Sequence, residues 1–259
     1  MMWAMALLSA LGGYLLGSIS FARLIIAVFA PTEAVKQVDV EVPGSSVAFR
    51  SSTVSGTTVN LQLGPKYGCL TSLLDILKVA APAAILKLWR PEAPYYLILA
   101  AMGTLGHNWP LYYGFQGGRG MSPILGGMLV VDWIGILITT SVSFAAGALL
   151  QSFYLANRLS ILLMIPWLWL RHRDWKLVLY ATTVNAMNLI AVAPEAREML
   201  RLRREGTLRT FLKAKQVRVA GTDREHNEER LTFYGMLASF FTRRMAEEGE
   251  PADPSKSRS

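Results

Sequence analysis

The sequence predicts an all-α, polytopic membrane bundle of about seven spans that carries a small β-containing cytoplasmic loop. Three observations predict it. The 259 residues are 52% hydrophobic and 17% charged, where a soluble domain of this size carries about 25% charge. Mean hydropathy is +0.32, so polar residues are too few to cover a globular surface. The charge is also unevenly placed: residues 1–193 hold 12 Lys+Arg and 7 Asp+Glu, and the short remainder holds 14 and 11. The chain thus divides into a membrane part, 1–193, and a charged tail, 194–259. A disordered chain, a coiled coil and a disulfide-rich secreted module are excluded. Cys69 is the single cysteine, which rules out an intramolecular disulfide and a cysteine metal cluster.

Taken in order, Met2 to Phe29 is apolar with Gly12, Gly13, Gly17, Ser18 and Ser20 along it, the small residues that packed membrane helices use. It lacks the basic start of a cleaved signal peptide and reads as a retained first span. Its only charge, Arg23, lies near its end, which puts the N-terminus outside and the next loop inside. Pro31 to Lys66 is polar and β-branched, and reads as a cytoplasmic loop with a hairpin pairing Val38–Val42 with Ser55–Leu63. Further spans are expected at Gly68–Leu88 and Pro94–Trp109. Ile124–Val131 and Trp133–Ala156 follow, either as two spans or as one helix bent near Asp132. Leu159–Leu170 and Leu177–Val192 close the series. With the N-terminus outside, seven crossings place the tail in the cytoplasm, in agreement with its basic residues.

The net charge of +8 suits a membrane protein with cations gathered on the cytoplasmic side. No stacking-plus-basic motif accompanies it, which argues against nucleic acid as a partner. In the tail, Leu231 to Phe241 beside Arg243 and Arg244 reads as a helix, either lying on the anionic inner leaflet or packed on the protein. From Glu247 onward the composition predicts disorder.

Three clusters carry chemistry. Gly106-His107-Asn108-Trp109-Pro110 followed by Gly114-Phe115-Gln116-Gly117-Gly118-Arg119-Gly120 combines glycine-exposed amides with a guanidinium, the material of an anion cradle. The same text also fits a glycine turn between closely packed helices. Gly44-Ser45-Ser46, Arg50 and Ser55-Gly56-Thr57-Thr58 bring hydroxyls and a cation into one loop, as phosphate sites do and as ordinary loops do. Asp75 and Lys78 lie one turn apart inside a span; they face either a polar cavity or each other as an ion pair. His172, flanked by Arg171 and Arg173, reads as a membrane-boundary residue, and Asn185 and Asn188 as interhelical hydrogen bonders. Metal-ligand clusters, a nucleophile elbow, a dinucleotide fingerprint and a P-loop lysine are absent from the sequence.

Together these stretches resemble the bacterial membrane glycerol-3-phosphate acyltransferases that use acyl phosphate as donor, the PlsY family. Tyr14-Leu15-Leu16-Gly17-Ser18-Ile19-Ser20-Phe21-Ala22 is similar to that family's YLLGSIPFG, and Leu73-Leu74-Asp75-Ile76-Leu77-Lys78 to its LLDILKG. Gly106, His107, Pro110, Phe115, Gly117, Gly118 and Gly120 match its loop GHxxPxFxxFKGGKG, with Arg119 in place of lysine. In its first motif, GSGNxGATNxxR, Ser45 takes the serine position and Thr57 the threonine. Leu61 takes that of the arginine, leaving Arg50 in the apparent insertion as the candidate guanidinium. The last family motif, HxxNxxRLxxGxE, corresponds to Glu195–Gly206, which keeps Arg201-Leu202 and Gly206 but has neither His nor Asn.

The resemblance implies acyl transfer from acyl phosphate to the 1-hydroxyl of glycerol 3-phosphate, forming lysophosphatidate, with no metal or coenzyme. It implies a phosphate site at Gly117, Gly118, Arg119 and Gly120. Ser45, Thr57 and Arg50 would act on the substrate, and Lys78 and His107 would complete the binding pocket. Membrane lipids would surround the acyl chain. The alternative is a non-catalytic relative that binds phosphorylated lipid precursors or a partner protein through the same basic loop.

Overall fold

Glycine decides how the first helix meets the rest of the protein. In the computed structural model, which describes residues 2–30, 38–41, 48–51, 53–149, 153–207, 216–219 and 225–227, α1 (Met2–Gly17) lies against α5 (Tyr95–Asn108). A Cβ at Gly13, Gly17 or Gly106 would overlap the backbone oxygen of Leu99, Gly103 or Tyr14. Small residues therefore set this close crossing, as in membrane packing generally. The chain breaks at Ser18 to Ser20, and Ser20 caps the following α2 (Phe21–Phe29). The Ser18 hydroxyl donates to Tyr14 O at 2.8 Å and accepts from Leu111 N at 3.3 Å, tying the break to the loop after α5.

Helix α3 (Gly56–Leu63) leads through Gly64 into α4 (Pro65–Trp89). Helix α6 (Met121–Leu149) is two helical segments meeting at Asp132, whose φ of −155° and ψ of 92° interrupt the helix. Its Oδ1 accepts from Gly135 N at 2.9 Å, so Asp132 caps the second segment. The expected break near Asp132 is therefore present. Helix α7 (Phe153–His172) and helix α8 (Trp175–Arg204), which Asp174 caps, complete the bundle. Val79, Leu99, Met128, Met164, Leu168 and Val184, from five different helices, are buried together in one core.

The expected fold class needs correction. Among the described residues four helical stretches are able, by length and composition, to cross a membrane, Met2–Phe29, Pro65–Trp89, Met121–Leu149 and Trp175–Arg204, where about seven spans were expected. The 14 residues of α5 rise only about 21 Å, short of a hydrocarbon core of about 30 Å. Of the two alternatives for Ile124–Val131 and Trp133–Ala156, the structure has the bent helix, α6, which ends at Leu149. The expected β-containing loop does not form as a self-contained hairpin either. Gly56–Leu63 is helical with Ser55 as its cap: the Thr58 hydroxyl accepts from Ser55 N and donates to Thr53 O, fixing the start of the helix. Thr58 to Leu61 are buried without alternation, so tertiary burial outweighs β-branching. The strand Val38–Glu41 (β1) pairs instead with Ala48–Ser51 (β2) and with Gln216–Val219 (β3), which pairs in turn with Glu225–Asn227 (β4). That sheet is shared between loop and tail.

Two ends of the bundle can be told apart. At one, Tyr95 Oη reaches Met2 O, and Lys87 Nζ donates to Val130 O at 2.5 Å and Val131 O at 3.2 Å. At the other lie the Ser18–Ser20 break, the start of α4, the end of α5 and the start of α6. Expectations for Ser45 and for residues 231–259 lie outside the described residues.

Candidate functional site

At this second end, α3 and α6 begin side by side. Ser55, Gly56 and Thr57 at the start of α3, and Gly120, Met121 and Ser122 at the start of α6, line a cavity of about 130 Å³. Ser72 and Asp75 of α4, His107 of α5, Arg119 and Arg158 complete its wall. The first turn of a helix has amides without intrahelical partners and a partial positive charge of about half a unit. Two such turns facing one small cavity, with two guanidiniums beside them, form an environment suited to a phosphate.

The glycine loop is arranged by hydrogen bonds rather than left open. Val54 N donates to Gly117 O at 3.1 Å, which joins the first loop to the second. Gly118 N donates to His107 O at 3.1 Å, so this amide is committed to the loop itself. A Cβ on Gly118 would collide with the His107 ring, and Gly120 has a φ of 82°, a left-handed conformation that glycine adopts at little cost. The Tyr14 hydroxyl donates to Trp109 O at 2.9 Å, and an Arg23 Nη donates to Gln116 O at 3.2 Å. The first span thereby holds the loop at both ends.

Asp75 is 2% exposed. Lys78 Nζ lies 2.8 Å from its Oδ1, donates to Ile19 O at 2.7 Å, and sits 3.0 Å from His107 Nδ1. The two readings of Asp75 and Lys78 are thus both realised: Asp75 faces the cavity, and Lys78 stands behind it as the ion-pair partner. Lys78 links α4 to the α1–α2 break and to α5.

Arg119 Nε donates to Glu195 Oε1 at 2.6 Å, and an Arg119 Nη forms a second close contact with the same oxygen. Thr53 Oγ1 donates to Glu195 Oε1 at 3.2 Å. Glu195, 8% exposed on α8, was not singled out by the sequence. A signal existed: counting back six residues from Arg201 in HxxNxxRL puts Glu195 at the histidine position, while Arg119 replaces the family lysine. Ser72, Met121, Ser122 and Arg158 of the cavity wall were also missed; Arg158 was signalled only by Asn157-Arg158 interrupting an apolar stretch. Asn188 and Asn185 bond between helices as expected. Asn188 Nδ2 donates to Arg119 O at 2.7 Å, and Asn185 Nδ2 to Ile161 O at 3.0 Å.

Of the expected site residues, Thr57, His107, Arg119 and Gly120 line the cavity, and Gly117 and Gly118 lie in the adjoining turn. Arg50 lies on β2, where only its backbone is described. His172 is elsewhere: its Nε2 is 3.0 Å from Asp132 Oδ2 at the opposite end.

Comparison with known proteins shows the family to which the membrane part is similar. The family described as glycerol-3-phosphate acyltransferase matches residues 7–204. The glycerol-3-phosphate acyltransferase of Shouchella clausii (strain KSM-K16) is 32% identical over 163 residues, covering 60% of this chain and 74% of that protein. That of Aquifex aeolicus (strain VF5) is 33% identical over 144 residues, covering 51% and 68%. The crystal structure of PlsY, an integral membrane glycerol 3-phosphate acyltransferase, in its glycerol 3-phosphate form superposes with a TM-score of 0.62 at 25% identity, covering 78% of this chain and 93% of that one.

Proposed function

Because this chain belongs to the glycerol-3-phosphate acyltransferase family, we propose that it is a multi-pass membrane enzyme moving an acyl group from acyl phosphate to the 1-hydroxyl of glycerol 3-phosphate. The observation that carries this reading is the convergence of two helix N-termini and Arg119 on one small cavity at the edge of the bundle. The acceptor hydroxyl attacks the carbonyl of the mixed anhydride. The C–O bond to phosphate breaks, and lysophosphatidate and inorganic phosphate leave. Negative charge grows on the carbonyl oxygen and on the departing phosphate, so fixed amides and a guanidinium beside those oxygens lower the barrier. The departing phosphate accepts the hydroxyl proton, which removes the need for a protein base.

In this reading Arg119 and Gly120 bind phosphate, while Gly117 and Gly118 shape the turn that presents them, the Gly118 amide being spent on His107 O. Thr57 and His107 orient substrate, and Lys78 holds Asp75 and His107 in place while adding positive potential. Ser45 and Arg50 join Thr57 on the strength of the motif resemblance. An apolar groove between α4 and α6, lined by Leu77, Ala80, Ala84, Leu88 and Leu129, begins on α4 within a turn of Asp75 and suits the acyl chain, entering from the surrounding lipid. We place the N-terminus outside and residues 194–259 as a cytoplasmic tail. Support comes from the two ends of the bundle. Helix α8 brings Arg197, Arg201, Arg203 and Arg204 toward the cavity end, opposite Met2. Helix α5, although short, also runs from the Met2 end to the cavity end, which gives an odd number of passes.

The test is phosphate release by purified protein from palmitoyl phosphate, with and without glycerol 3-phosphate. Release that depends on the acceptor, with stoichiometric lysophosphatidate, is expected. Well-folded protein that releases none would return the reading to a non-catalytic binder.

A further inference from the structure

The cavity contains a guanidinium that none of the matched motifs provides. The motif position for arginine holds Leu61, buried and apolar on α3. Arg158 instead reaches the same wall as Thr57 and Arg119 from α7, a helix that contributes no motif. Its anchor is Asn188 of α8, which is 1% exposed. The Asn188 side chain is engaged at both ends: Oδ1 accepts from an Arg158 Nη, and Nδ2 donates to Arg119 O at 2.7 Å. One amide therefore sets the spacing between the backbone carrying one guanidinium and the head of the other.

Charge gives this arrangement a purpose. Among the described residues, the full charges that line the cavity or bond to its wall are Asp75 and Glu195 against Lys78, Arg119 and Arg158. With Arg158 the group is net positive; without it the group is neutral and offers a phosphate dianion no net attraction. A cation placed on an apolar membrane helix is expensive and persists where it has work to do.

We propose that Arg158 is the second phosphate-binding guanidinium of this site, replacing from α7 the arginine absent at position 61, and that Asn188 is the positioning residue that aims it. The proposal deepens the acyltransferase reading and rests on it for the identity of the substrate. Its test does not depend on turnover. Thermal unfolding of the purified full chain in detergent is measured against inorganic phosphate concentration for wild type, Arg158→Gln, Arg158→Lys and Asn188→Ala. The concentration giving half-maximal protection is expected to rise at least tenfold in Arg158→Gln, less in Arg158→Lys, which keeps the charge but not the planar fork, and severalfold in Asn188→Ala. In acyl transfer, Arg158→Gln raises KM for the phosphorylated substrates more than it lowers kcat, and Arg158→Lys recovers part of the loss.

Equal phosphate dependence in wild type and both Arg158 variants, including none in any of them, overturns the proposal. Phosphate protection that depends on Arg158 in a wild type without acyl transfer would uphold the guanidinium and remove the reaction. The lysine variant keeps the test decisive if the glutamine variant does not fold.

Discussion

The bundle carries a charged cluster at each end, and the two are built on opposite plans. At one end Asp75, His107, Arg119 and Arg158 surround a cavity, and the helix starts beside them point into it. At the other, donors close on a single carboxylate. Trp167 Nε1 and His172 Nε2 each lie 3.0 Å from Asp132 Oδ2, Gly135 N donates to Oδ1, and Arg171 Nη1 is 3.4 Å from Oδ1. Ionisable residues at membrane depth are site candidates by default, and by that standard the clusters rank alike. The difference is where the donors point. At the Asp132 end every donor closes on one protein acceptor and stabilises a helix break. At the other end Arg119 and Arg158 are braced by Glu195 and Asn188 and also line the space a ligand would fill.

Substitutions at the two ends should therefore separate stability from ligand dependence. Asp132→Ala removes a helix cap and the shared acceptor of three donors, while Arg171, partly exposed, keeps access to solvent; about 2–3 kcal/mol of stability is expected to go. Thermal unfolding in detergent reads the loss, while phosphate dependence of the remaining folded protein stays as in wild type. A changed phosphate dependence would mean that the two ends are not separate in function.

Arg119→Ala is expected to act chiefly on ligand dependence, with some loss of stability because the buried Glu195 loses its ion-pair partner. It deletes one charge-assisted contact, about 1.5–3 kcal/mol, and so raises the KM for phosphorylated substrate by roughly ten- to a hundredfold. An unchanged KM would remove Arg119 from the site. Gly118→Ala drives a methyl group into the His107 ring and costs about 1–3 kcal/mol through overpacking. Stability and turnover should fall together, and a stable, fully active variant would show that the loop can yield. Thr57→Val removes one hydroxyl from the cavity wall, about 0.5–1.5 kcal/mol. Its expected signature is a severalfold rise in KM with the unfolding temperature unaltered.

The site was only partly legible in the sequence. The glycine loop, Thr57, His107 and Arg119 are local text, and the structure places them in or beside the cavity. The fold class was misjudged where local pattern met tertiary burial. Thr57, Thr58 and Val59 look like a strand, yet they form the first turns of α3 because its sides are covered by neighbouring helices. Counting apolar stretches gave about seven spans, where four described helical stretches are long and apolar enough to cross alone; hydropathy does not measure helix length, and α5 passes between the two ends with only 14 residues. Glu195 and Arg158 escaped attention because each is an ordinary charged residue in its own neighbourhood. Their significance comes from partners 76 and 30 residues away.

What the sequence alone determined is the apolar body, the order of the motifs along it and the chemistry they hold, because hydropathy, helix caps and glycine turns act over a few residues. Only the tertiary structure decided that the starts of α3 and α6 share a cavity, that Glu195 engages Arg119, and that Arg158 arrives from α7. Those meetings depend on how closely helices approach and in what rotation. Backbone contact at Gly13, Gly17 and Gly106, together with packing around Met128 and Val184, sets them, and no local pattern carries that information.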